Sequence, residues 1–342
     1  MKIAVVASPV TPLAPAQLGG AQAFLCDLAA GLVRRGHDVR LFCAEGSDVP
    51  GVEVVTVPVP RDAAVALVMP GGVEPAAAPG VRAALAAMFD AVRGQGFDAV
   101  SQHAFDAPAF EIARDLPVLH TLHLPPLVGA VVAAVAAVEQ RRLATVSRAC
   151  EAAWRAAGVE VGELLPNGVE DLPVAIAGND RAALVAGRIS PEKGIEHALA
   201  AARAAGLAVR VAGAPYDPAY AVDLSGVESL GSLARGDLRR VMARSAVTIC
   251  AVRWDEPFGM VAAEAQMAGC PVAAYRRGAL PEVVEEGVSG FLAIPDDVAA
   301  LTEAVRRCLD LDRQAVRESA RRRLGLDAAL DRYEKALQAA AR

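Results

Sequence analysis

The feature that most constrains the fold is a regular alternation of short apolar runs with amphipathic segments along nearly the whole chain. Residues 3–7 and 39–44 are strand-like, and between them the segment 21–35 repeats its large apolar residues every four positions. A strand, a helix and a strand in this order predict a βαβ unit with parallel strands. Further strand-like runs follow at 52–57, 99–102 and 118–122.

The same alternation resumes after the segment 164–173, in which Pro166, Asn167 and Gly168 predict turns. Strand-like runs at 183–186, 208–211, 247–251 and 272–275 alternate with helical patterns at 195–205, at 236–243 and after Gly259. Two consecutive series of this kind predict an α/β protein with two Rossmann-like, doubly wound parallel-sheet domains that face each other across a cleft. Ligands are expected in that cleft, at the carboxyl ends of strands.

The length of the chain agrees with two domains, because 342 residues exceed the roughly 100–200 that one domain usually contains. The predicted N-terminal domain is 1–166 and the predicted C-terminal domain is 167–325. A C-terminal helix within 326–342 is expected to pack back on the N-terminal domain. The connection 164–182 is the expected hinge for domain closure. Helical patterns at 303–323 and 329–342 end the chain.

Charge and hydropathy exclude several classes of partner. The chain is 54% hydrophobic and 22% charged, as expected of a well-packed soluble protein, and its net charge of −6 provides no general attraction to nucleic acid. The first residues, MKIAVVASP, predict a strand and not a signal peptide. The longest apolar stretch, 127–138, is shorter than the ~20 residues of a membrane span. It predicts a buried helix, in a cytoplasmic protein without stable membrane insertion.

Neither the cysteines nor the acidic motifs indicate a metal site. The six cysteines are scattered, without a C-x-x-C pair, and are expected to be reduced thiols of the core. The D-x-D triplet at 310–312 falls in a polar helical region, far from every glycine-rich loop, and is interpreted as surface. The sequence therefore predicts neither a metal ion nor a cofactor.

The segment GRISPEKG (187–194) predicts an anion site. Arg188 and Lys193 bracket a turn that follows a strand and leads into a helix, so two cations lie where a helix N-terminus also favours negative charge. This pattern is typical of a diphosphate clamp, although two solvated surface cations would have the same sequence. The chain has only three lysines among 34 basic residues, which favours a specific role for the ammonium of Lys193.

The segment DEPFGMVAAEA (255–265) places two glutamates around a predicted helix start. Gly259 permits close backbone approach, and the helix that begins near Met260 presents unpaired N–H groups. Glu264, about one turn into that helix, can accept two hydrogen bonds from the vicinal diol of a ribose, and Glu256 could contact sugar hydroxyls. Taken without context, two such residues are more often ordinary acids near a helix start.

Eight short motifs occur in order along the chain: LGGAQAF (18–24), RRGHDV (34–39), HTLHLPP (120–126), TVSRACEAAW (145–154), LPNGVE (165–170), GRISPEKG (187–194), DEPFGMVAAEA (255–265) and RRGALPEVVEEGVSGFL (276–292). Together they resemble the retaining glycosyltransferases of family 4, which have the two-domain GT-B fold. The resemblance extends over nearly the full chain, and the E-x7-E pair, Glu256 and Glu264, is its most specific part.

The resemblance implies a role for each candidate residue. Arg188 and Lys193 would neutralise the diphosphate of a nucleotide-sugar, Glu256 would contact the sugar hydroxyls, and Glu264 would bind the ribose. Gly19 and Gly20 would lie near the diphosphate and the acceptor, and His123 would touch the transferred sugar. The implied catalytic set is Glu256, Lys193, Arg188 and His123, and the implied donor-binding set is Gly19, Gly20, Arg188, Lys193, Glu256, Phe258, Gly259, Met260, Val261 and Glu264.

The histidines carry a weaker signal of their own. The spacing in HTLH puts His120 and His123 on opposite faces of a strand, which argues against one metal site for both. His37 and His103 are interpreted as structural or solvated. Two departures from the family pattern affect loops: Gln22 stands where an acidic residue is frequent, and VAGAPYD (211–217) lacks a Gly-x-Gly ending.

The resemblance implies transfer of a sugar, with retention at the anomeric carbon, from a nucleoside-diphosphate sugar to an acceptor hydroxyl. UDP is slightly preferred over GDP or dTDP. The acceptor is expected to be a small soluble molecule, recognised by N-terminal loops that include the Pro/Gly/Ala-rich segment 58–80. The alternatives are a nucleotide-sugar epimerase of the same fold and a nucleotide-sugar-binding protein without turnover. A nicotinamide dehydrogenase is disfavoured, because no G-x-G-x-x-G follows the first strand.

Overall fold

The computed structural model of the protein describes residues 1–14, 19–66, 78–176, 180–216 and 220–342. In the first half of the chain the elements are β1 (Lys2–Val6), α1 (Gly20–Arg34), β2 (Asp38–Ala44), β3 (Glu53–Val57), α2 (Ala63–Ala66), α3 (Pro79–Arg93), β4 (Ala99–Gln102), α4 (Ala107–Ile112), β5 (Val118–Leu122), α5 (Gly129–Ala136), β6 (Leu143–Thr145), α6 (Arg148–Ala156) and β7 (Glu163–Leu164). In the second half they are β8 (Ala182–Ala186), α7 (Ile195–Ala204), β9 (Ala208–Ala212), β10 (Glu228–Gly231), α8 (Arg235–Arg244), β11 (Val247–Cys250), α9 (Met260–Met267), β12 (Val272–Tyr275), α10 (Leu280–Val283), β13 (Gly290–Ala293), α11 (Val298–Cys308), α12 (Arg313–Leu324) and α13 (Leu326–Ala340).

The chain forms two compact units, each built on its own parallel sheet. The first unit contains Ala21–Gly168, Leu326–Arg342 and the first strand, and the second contains Val169–Gly325 together with Gly19 and Gly20. The sequence places the boundary after residue 166, and the units divide after Gly168. Parts of the predicted acceptor loop and hinge, residues 67–77 and 177–179, lie outside the described residues.

The first unit has a seven-stranded parallel sheet with the strand order β3-β2-β1-β4-β5-β6-β7. In its interior strand β1, Ile3 to Val6 form an apolar run that is fully buried, as expected of a parallel strand that helices cover on both faces. Helix α1 buries Phe24, Leu28 and Leu32, the apolar positions that repeat every four residues. Helix α13, the last of the chain, packs on β4 and β5 and buries Tyr333.

The second unit has a six-stranded parallel sheet with the order β10-β9-β8-β11-β12-β13. One core unites β8, β9 and β11 with the buried faces of α7 and α11, which include Ile195, Leu199 and Leu301. The two units therefore have the predicted doubly wound α/β architecture, and the fold class is confirmed.

Strand order fixes where ligands can bind. The sheet order reverses between β1 and β4 in the first unit and between β8 and β11 in the second. At such a point the loops leaving the two strands diverge to opposite faces of the sheet, which opens a crevice beyond their carboxyl ends. The loops after β4 and β5 carry His103 and His123, and the loops after β8 and β11 carry the GRISPEKG and DEPFG motifs.

Two details of the helices and apolar segments differ from, or refine, the sequence interpretation. The predicted helix 303–323 is two helices, because the chain turns after Cys308 and Asp312 begins α12 by accepting a hydrogen bond from the Gln314 N–H at 2.8 Å. The apolar stretch 127–138 contains α5, a helix of 8 residues. No helix within the described part of the chain is long and apolar enough to cross a membrane.

The cysteines form no disulfide. All six are free thiols, and five of them are buried, whereas Cys26 is partly exposed.

Candidate functional site

The two motif loops of the second unit are packed against each other. The N–H of Arg253, after β11, donates to the carbonyl of Glu192 in the loop after β8, at 2.8 Å. Gly194 has a φ of +59°, and a Cβ there would lie 2.0 Å from the carbonyl oxygen of Ala251, so only glycine allows the loops to approach this closely. This packing brings side chains of the two loops into contact.

Lys193 and Glu256 form the central contact of this site. The Lys193 Nζ donates to the Glu256 Oε2 at 2.8 Å, and the indole N–H of Trp254 donates to the same oxygen at 2.9 Å. The Lys193 ammonium also lies 5.5 Å from the centre of the Trp254 ring. The other carboxylate oxygen of Glu256 accepts no hydrogen bond from the described residues, so one oxygen is held by the protein and one is open to a ligand.

Arg188, the first cation of the clamp motif, is held on one face. Its guanidinium lies 4.8 Å from the ring centre of Tyr216, and one of its nitrogens is 3.3 Å from the Glu192 Oε1. Glu192 is buried and also accepts a hydrogen bond from the Ser190 hydroxyl at 2.6 Å. Stacking and pairing orient a planar guanidinium whose remaining N–H groups suit a bidentate contact with phosphate oxygens.

The helix start of the DEPFG motif lies where the sequence predicts it. Gly259 is the N-cap of α9, Met260 is its first residue, and the first amide groups of a helix have no acceptor within the helix itself. Phe258 and Met260 are buried, so their side chains serve packing, whereas Val261 is half-buried.

Glu264 is held by two arginines of α8, of which Arg239 is buried and Arg235 is half-buried. The Arg239 guanidinium, only 1% exposed, donates to the Glu264 Oε1 at 3.0 Å, and the Arg235 Nε lies 3.5 Å from the same oxygen. The Oε2 of Glu264 accepts no hydrogen bond from the described residues. Glu264 thus repeats the arrangement of Glu256, with one oxygen held and one open.

A third loop supports the backbone of Glu256. The N–H of Ala279, after β12, donates to the Glu256 carbonyl at 2.8 Å. Gly278 has a φ of +53°, and a Cβ there would lie 2.4 Å from both the nitrogen and the oxygen of Glu256. The loop after β12 therefore fixes the position of Glu256 through main-chain contacts.

In the first unit, His123 follows β5 and belongs to a buried pair of histidines. The His103 Nδ1 lies 2.8 Å from the His123 Nε2, and the His103 Nε2 lies 2.8 Å from the Ser101 hydroxyl. Burial lowers the pKa of His123 to about 4, and burial together with the neighbouring histidines lowers that of His103, so both rings are neutral near pH 7.

The two candidate glycines belong to the second unit, and the other histidine of HTLH belongs to the first. Gly19 is half-buried just before α1, and Gly20 is the exposed first residue of that helix. His120 lies on the opposite face of β5 from His123, with its Nδ1 3.2 Å from the Gln102 Oε1, and burial lowers its pKa to about 3. That His120 and His123 do not bind one metal together stays a prediction.

Sequence reasoning missed several supporting residues. It did not assign Trp254, Arg239 or Ser101, and it interpreted His103 as structural or solvated without linking this buried ring to His123. Trp254 could have been noticed, because it is one of two tryptophans and stands two residues before Glu256. Arg239 carries no such signal, since only the tertiary packing of α8 on α9 brings it to Glu264.

No group of three or more His, Cys, Asp or Glu side chains within the described ranges could hold a metal ion. The D-x-D triplet is exposed at its first and last residues, and Asp312 serves as the N-cap of α12.

Two family models match consecutive parts of the chain. The model described as Glycosyltransferase Family 4 matches residues 18–171, and the model described as Glycosyl transferases group 1 matches residues 172–323. The glycogen synthase of Mycobacterium tuberculosis (strain ATCC 25618 / H37Rv) is 33% identical over 158 residues, which are 42% of this chain and 38% of that protein. The D-inositol 3-phosphate glycosyltransferase of Mycolicibacterium smegmatis is 31% identical over 175 residues, which are 46% of this chain and 40% of that protein. These matches span about two-fifths of each relative.

Solved structures match over the full length. AviGT4, a glycosyltransferase involved in avilamycin A biosynthesis, superposes with a TM-score of 0.75 at 21% identity, covering 99% of this chain and 98% of that one. Anabaena Alr3699/HepE in complex with UDP-glucose gives a TM-score of 0.75 at 20% identity, covering 99% of this chain and 100% of that one. At these identities the likeness concerns the fold.

Proposed function

Since the chain belongs to glycosyltransferase family 4, we propose that it is a retaining glycosyltransferase that moves a sugar from a nucleoside-diphosphate sugar to an acceptor hydroxyl. UDP is the proposed nucleotide, and a small soluble molecule is the proposed acceptor. The observation that carries the proposal is the contact of Lys193 with Glu256 at 2.8 Å, at the switch point of the second sheet. One cation and one carboxylate from separate loops there suit a ligand with a diphosphate next to a polyol.

The two glutamates are proposed to bind different parts of the donor. Each has one oxygen occupied by protein donors and one that accepts nothing from the described residues. The open oxygen of Glu256 would accept hydrogen bonds from hydroxyls of the sugar, and that of Glu264 would accept them from the ribose. Because both carboxylates are already oriented, little side-chain entropy would be lost when the donor binds.

The cations suit the departing diphosphate. As the bond from the anomeric carbon to the diphosphate oxygen breaks, negative charge grows on that oxygen, and Lys193 and Arg188 would stabilise it. The acceptor hydroxyl would form the new bond on the face that the diphosphate leaves, and its proton would pass to a phosphate oxygen. Retention then requires no nucleophile from the protein, and positioning supplies much of the rate.

The first test is thermal stability against UDP, GDP, dTDP and ADP. A nucleotide at about 100 times its Kd stabilises the folded protein by about 2.7 kcal/mol. We expect UDP to raise the melting temperature most, and Glu264→Gln to abolish the shift. Gln is the appropriate replacement, because its amide oxygen can still accept the hydrogen bond from the buried Arg239 guanidinium, whereas Ala would leave that guanidinium without an acceptor and would confuse loss of binding with loss of stability.

The matched control is Glu303→Gln, on the exposed face of α11, which should leave the nucleotide shift unchanged. Release of UDP from UDP-sugars in an acceptor screen then tests turnover, and the anomeric configuration of the product tests retention. No shift with any nucleotide would contradict the assignment of Glu256 and Glu264. A UDP shift without turnover of any donor would favour the nucleotide-sugar-binding alternative.

A further inference from the structure

His123 has one ring nitrogen without a partner. It is 7% exposed, its Nε2 lies 2.8 Å from His103, and its Nδ1 is buried with no hydrogen-bond partner among the described residues. Phe24, with its ring centre 6.2 Å from that of His123, covers part of the imidazole with apolar surface. A buried polar atom without a partner is unusual, and a ligand atom is one explanation for it.

The hydrogen bond of Ser101 determines whether the Nδ1 of His123 carries a hydrogen. Ser101 is completely buried, and its hydroxyl contacts only the His103 Nε2, at 2.8 Å, among the described residues. A hydroxyl must donate its one hydrogen to be satisfied. Ser101 is therefore the donor in this contact, and the His103 Nε2 is the acceptor.

The direction of the next bond follows. A neutral imidazole carries one hydrogen, so His103, accepting at Nε2, is protonated at Nδ1 and donates from there to the His123 Nε2. His123 then accepts at Nε2 and carries its own hydrogen at Nδ1. The reverse direction would leave the Ser101 hydrogen without an acceptor in addition to the open nitrogen of His123.

We propose that Ser101 and His103 are positioning residues that hold His123 as the Nδ1–H tautomer, so that it presents an N–H donor to an oxygen of the ligand. This inference rests on the proposed function for the identity of the ligand as a nucleotide-sugar or its acceptor. His123 in this form gives a hydrogen bond to a hydroxyl or phosphoryl oxygen. It has no free lone pair with which to take the proton of the acceptor hydroxyl.

The hydrogen-bonded series Ser101–His103–His123, called the relay below, is kept neutral by its environment. Burial lowers the pKa of His123 to about 4. The pKa of His103 is lowered by burial and by the nearby His123 and His120. The ring of Tyr333 lies 6.1 Å from that of His103, so an aromatic side chain and not a carboxylate covers the relay on that side. A neutral relay keeps its direction over the pH range in which the enzyme would act.

The test is the tautomer of His123 in the ligand-free protein, by proton–nitrogen NMR with 15N-histidine. The chain has five histidines, and the signals of His123 are assigned by their loss in His123→Gln. We expect protonated Nδ1 and unprotonated Nε2 in the wild type. We expect Ser101→Ala to replace this single form with a mixture of tautomers, because alanine has no hydroxyl to donate to His103 and the direction of the His103–His123 hydrogen bond is then no longer fixed.

Ser147→Ala is the matched control. Ser147 is a buried serine of the same unit that caps α6 by accepting from the Cys150 N–H at 3.0 Å, and it does not contact the histidines. Its replacement should lower stability and leave the His123 tautomer unchanged. An Nε2–H form of His123 in the wild type would overturn the proposal, even if Ser101→Ala failed to fold. An unchanged Nδ1–H form in folded Ser101→Ala would overturn the role of Ser101.

The two proposals fail separately. The tautomer is measured without substrate, so an Nδ1–H result in a protein that binds no nucleotide would contradict the proposed function and support the relay. If the protein turns over a donor, we expect Ser101→Ala to lower kcat about tenfold with a smaller change in KM for the nucleotide. A change confined to stability would indicate a purely structural role.

Discussion

At the scale of residues, the site depends on how the protein holds its carboxylates. Glu256 and Glu264 each have one oxygen bound by protein donors, Lys193 and Trp254 for the first and Arg239 for the second. Fixed hydrogen bonds of this kind set the orientation of a side chain before a ligand arrives. Function then depends on the supporting residues as well as on the glutamates.

We expect Lys193→Met to lower kcat by about 10²–10³, because the ammonium that would stabilise the leaving diphosphate is lost while the aliphatic length is kept. The measurement is steady-state kinetics with the donor identified by the nucleotide screen. Lys335→Met, on an exposed position of α13, is the control and should be indistinguishable from wild type. Near-normal turnover in Lys193→Met would make the assignment of Lys193 wrong.

The sequence predicts the motif residues of the site better than their supports. Lys193 and Glu256 could be singled out because a rare lysine and a paired glutamate stand in glycine-containing loops after strands. Arg239 and His103 lie far along the chain from the residues they hold, and nothing in their own neighbourhoods distinguishes them from other arginines and histidines. Contacts that only tertiary packing creates leave no local pattern.

At the scale of elements, three loops of the second unit form one assembly. The loop after β8 and the loop after β12 both pack on the loop after β11, and each contact requires a glycine, Gly194 or Gly278. The strands that position these loops were predictable because buried parallel strands are continuous apolar runs. Strands β10 and β13 were not, since each has 4 residues and includes a glycine. Helix α12 could be separated from α11 only by its cap, Asp312.

We expect Gly278→Ala to lower both stability and turnover, because its Cβ would lie 2.4 Å from the backbone of Glu256 and would displace that residue. Gly287→Ala is a matched control: Gly287 has a φ of +83°, similarly unfavourable for alanine, with nothing within 4 Å of a Cβ. Urea denaturation should show a loss of roughly 1–2 kcal/mol for Gly287→Ala from backbone strain alone. The loss for Gly278→Ala should be larger, and only this variant should have a lower kcat. Equal effects would contradict the supporting role of the loop.

At the scale of the whole molecule, the two units differ in their buried charges. The first contains His103, His120 and His123, whose pKa values burial lowers. It also contains Asp106, whose pKa burial raises to about 6 despite a hydrogen bond from Ser8. The second unit contains the buried contact between Arg239 and Glu264, at 3.0 Å.

We expect the first unit to lose stability in acid. A histidine with a lowered pKa stays neutral in the folded protein but takes up a proton when the protein unfolds. The free energy of unfolding is therefore unaffected by this histidine above pH 6.5, and it decreases as the pH falls from there towards 3–4. Each such histidine weakens folding by up to about 1.4 kcal/mol per pH unit in that window. Asp106 acts in the opposite sense, because its raised pKa favours the folded state as the pH falls below about 6. Three histidines outweigh one carboxyl, so the net effect is destabilising.

Urea denaturation between pH 7.5 and 5 provides the measurement, with fluorescence of the buried Trp154 as the reporter of the first unit in a Trp254→Phe background. His120→Gln should make the pH dependence shallower, whereas His197→Gln, in the second unit, should not change it. A pH-independent Trp154 transition would show that the histidines are not neutral and buried in solution.

The path of the chain has a further consequence for protein synthesis. The first unit is interrupted by the second and is completed only by α13, which packs on β4 and β5 and covers His103 with Tyr333. A ribosome releases these residues only after those of the second unit. While the second unit is being synthesised, β4 and β5 of the nascent first sheet therefore lack the helix that covers them in the folded protein. During that interval these strands are accessible to chaperones.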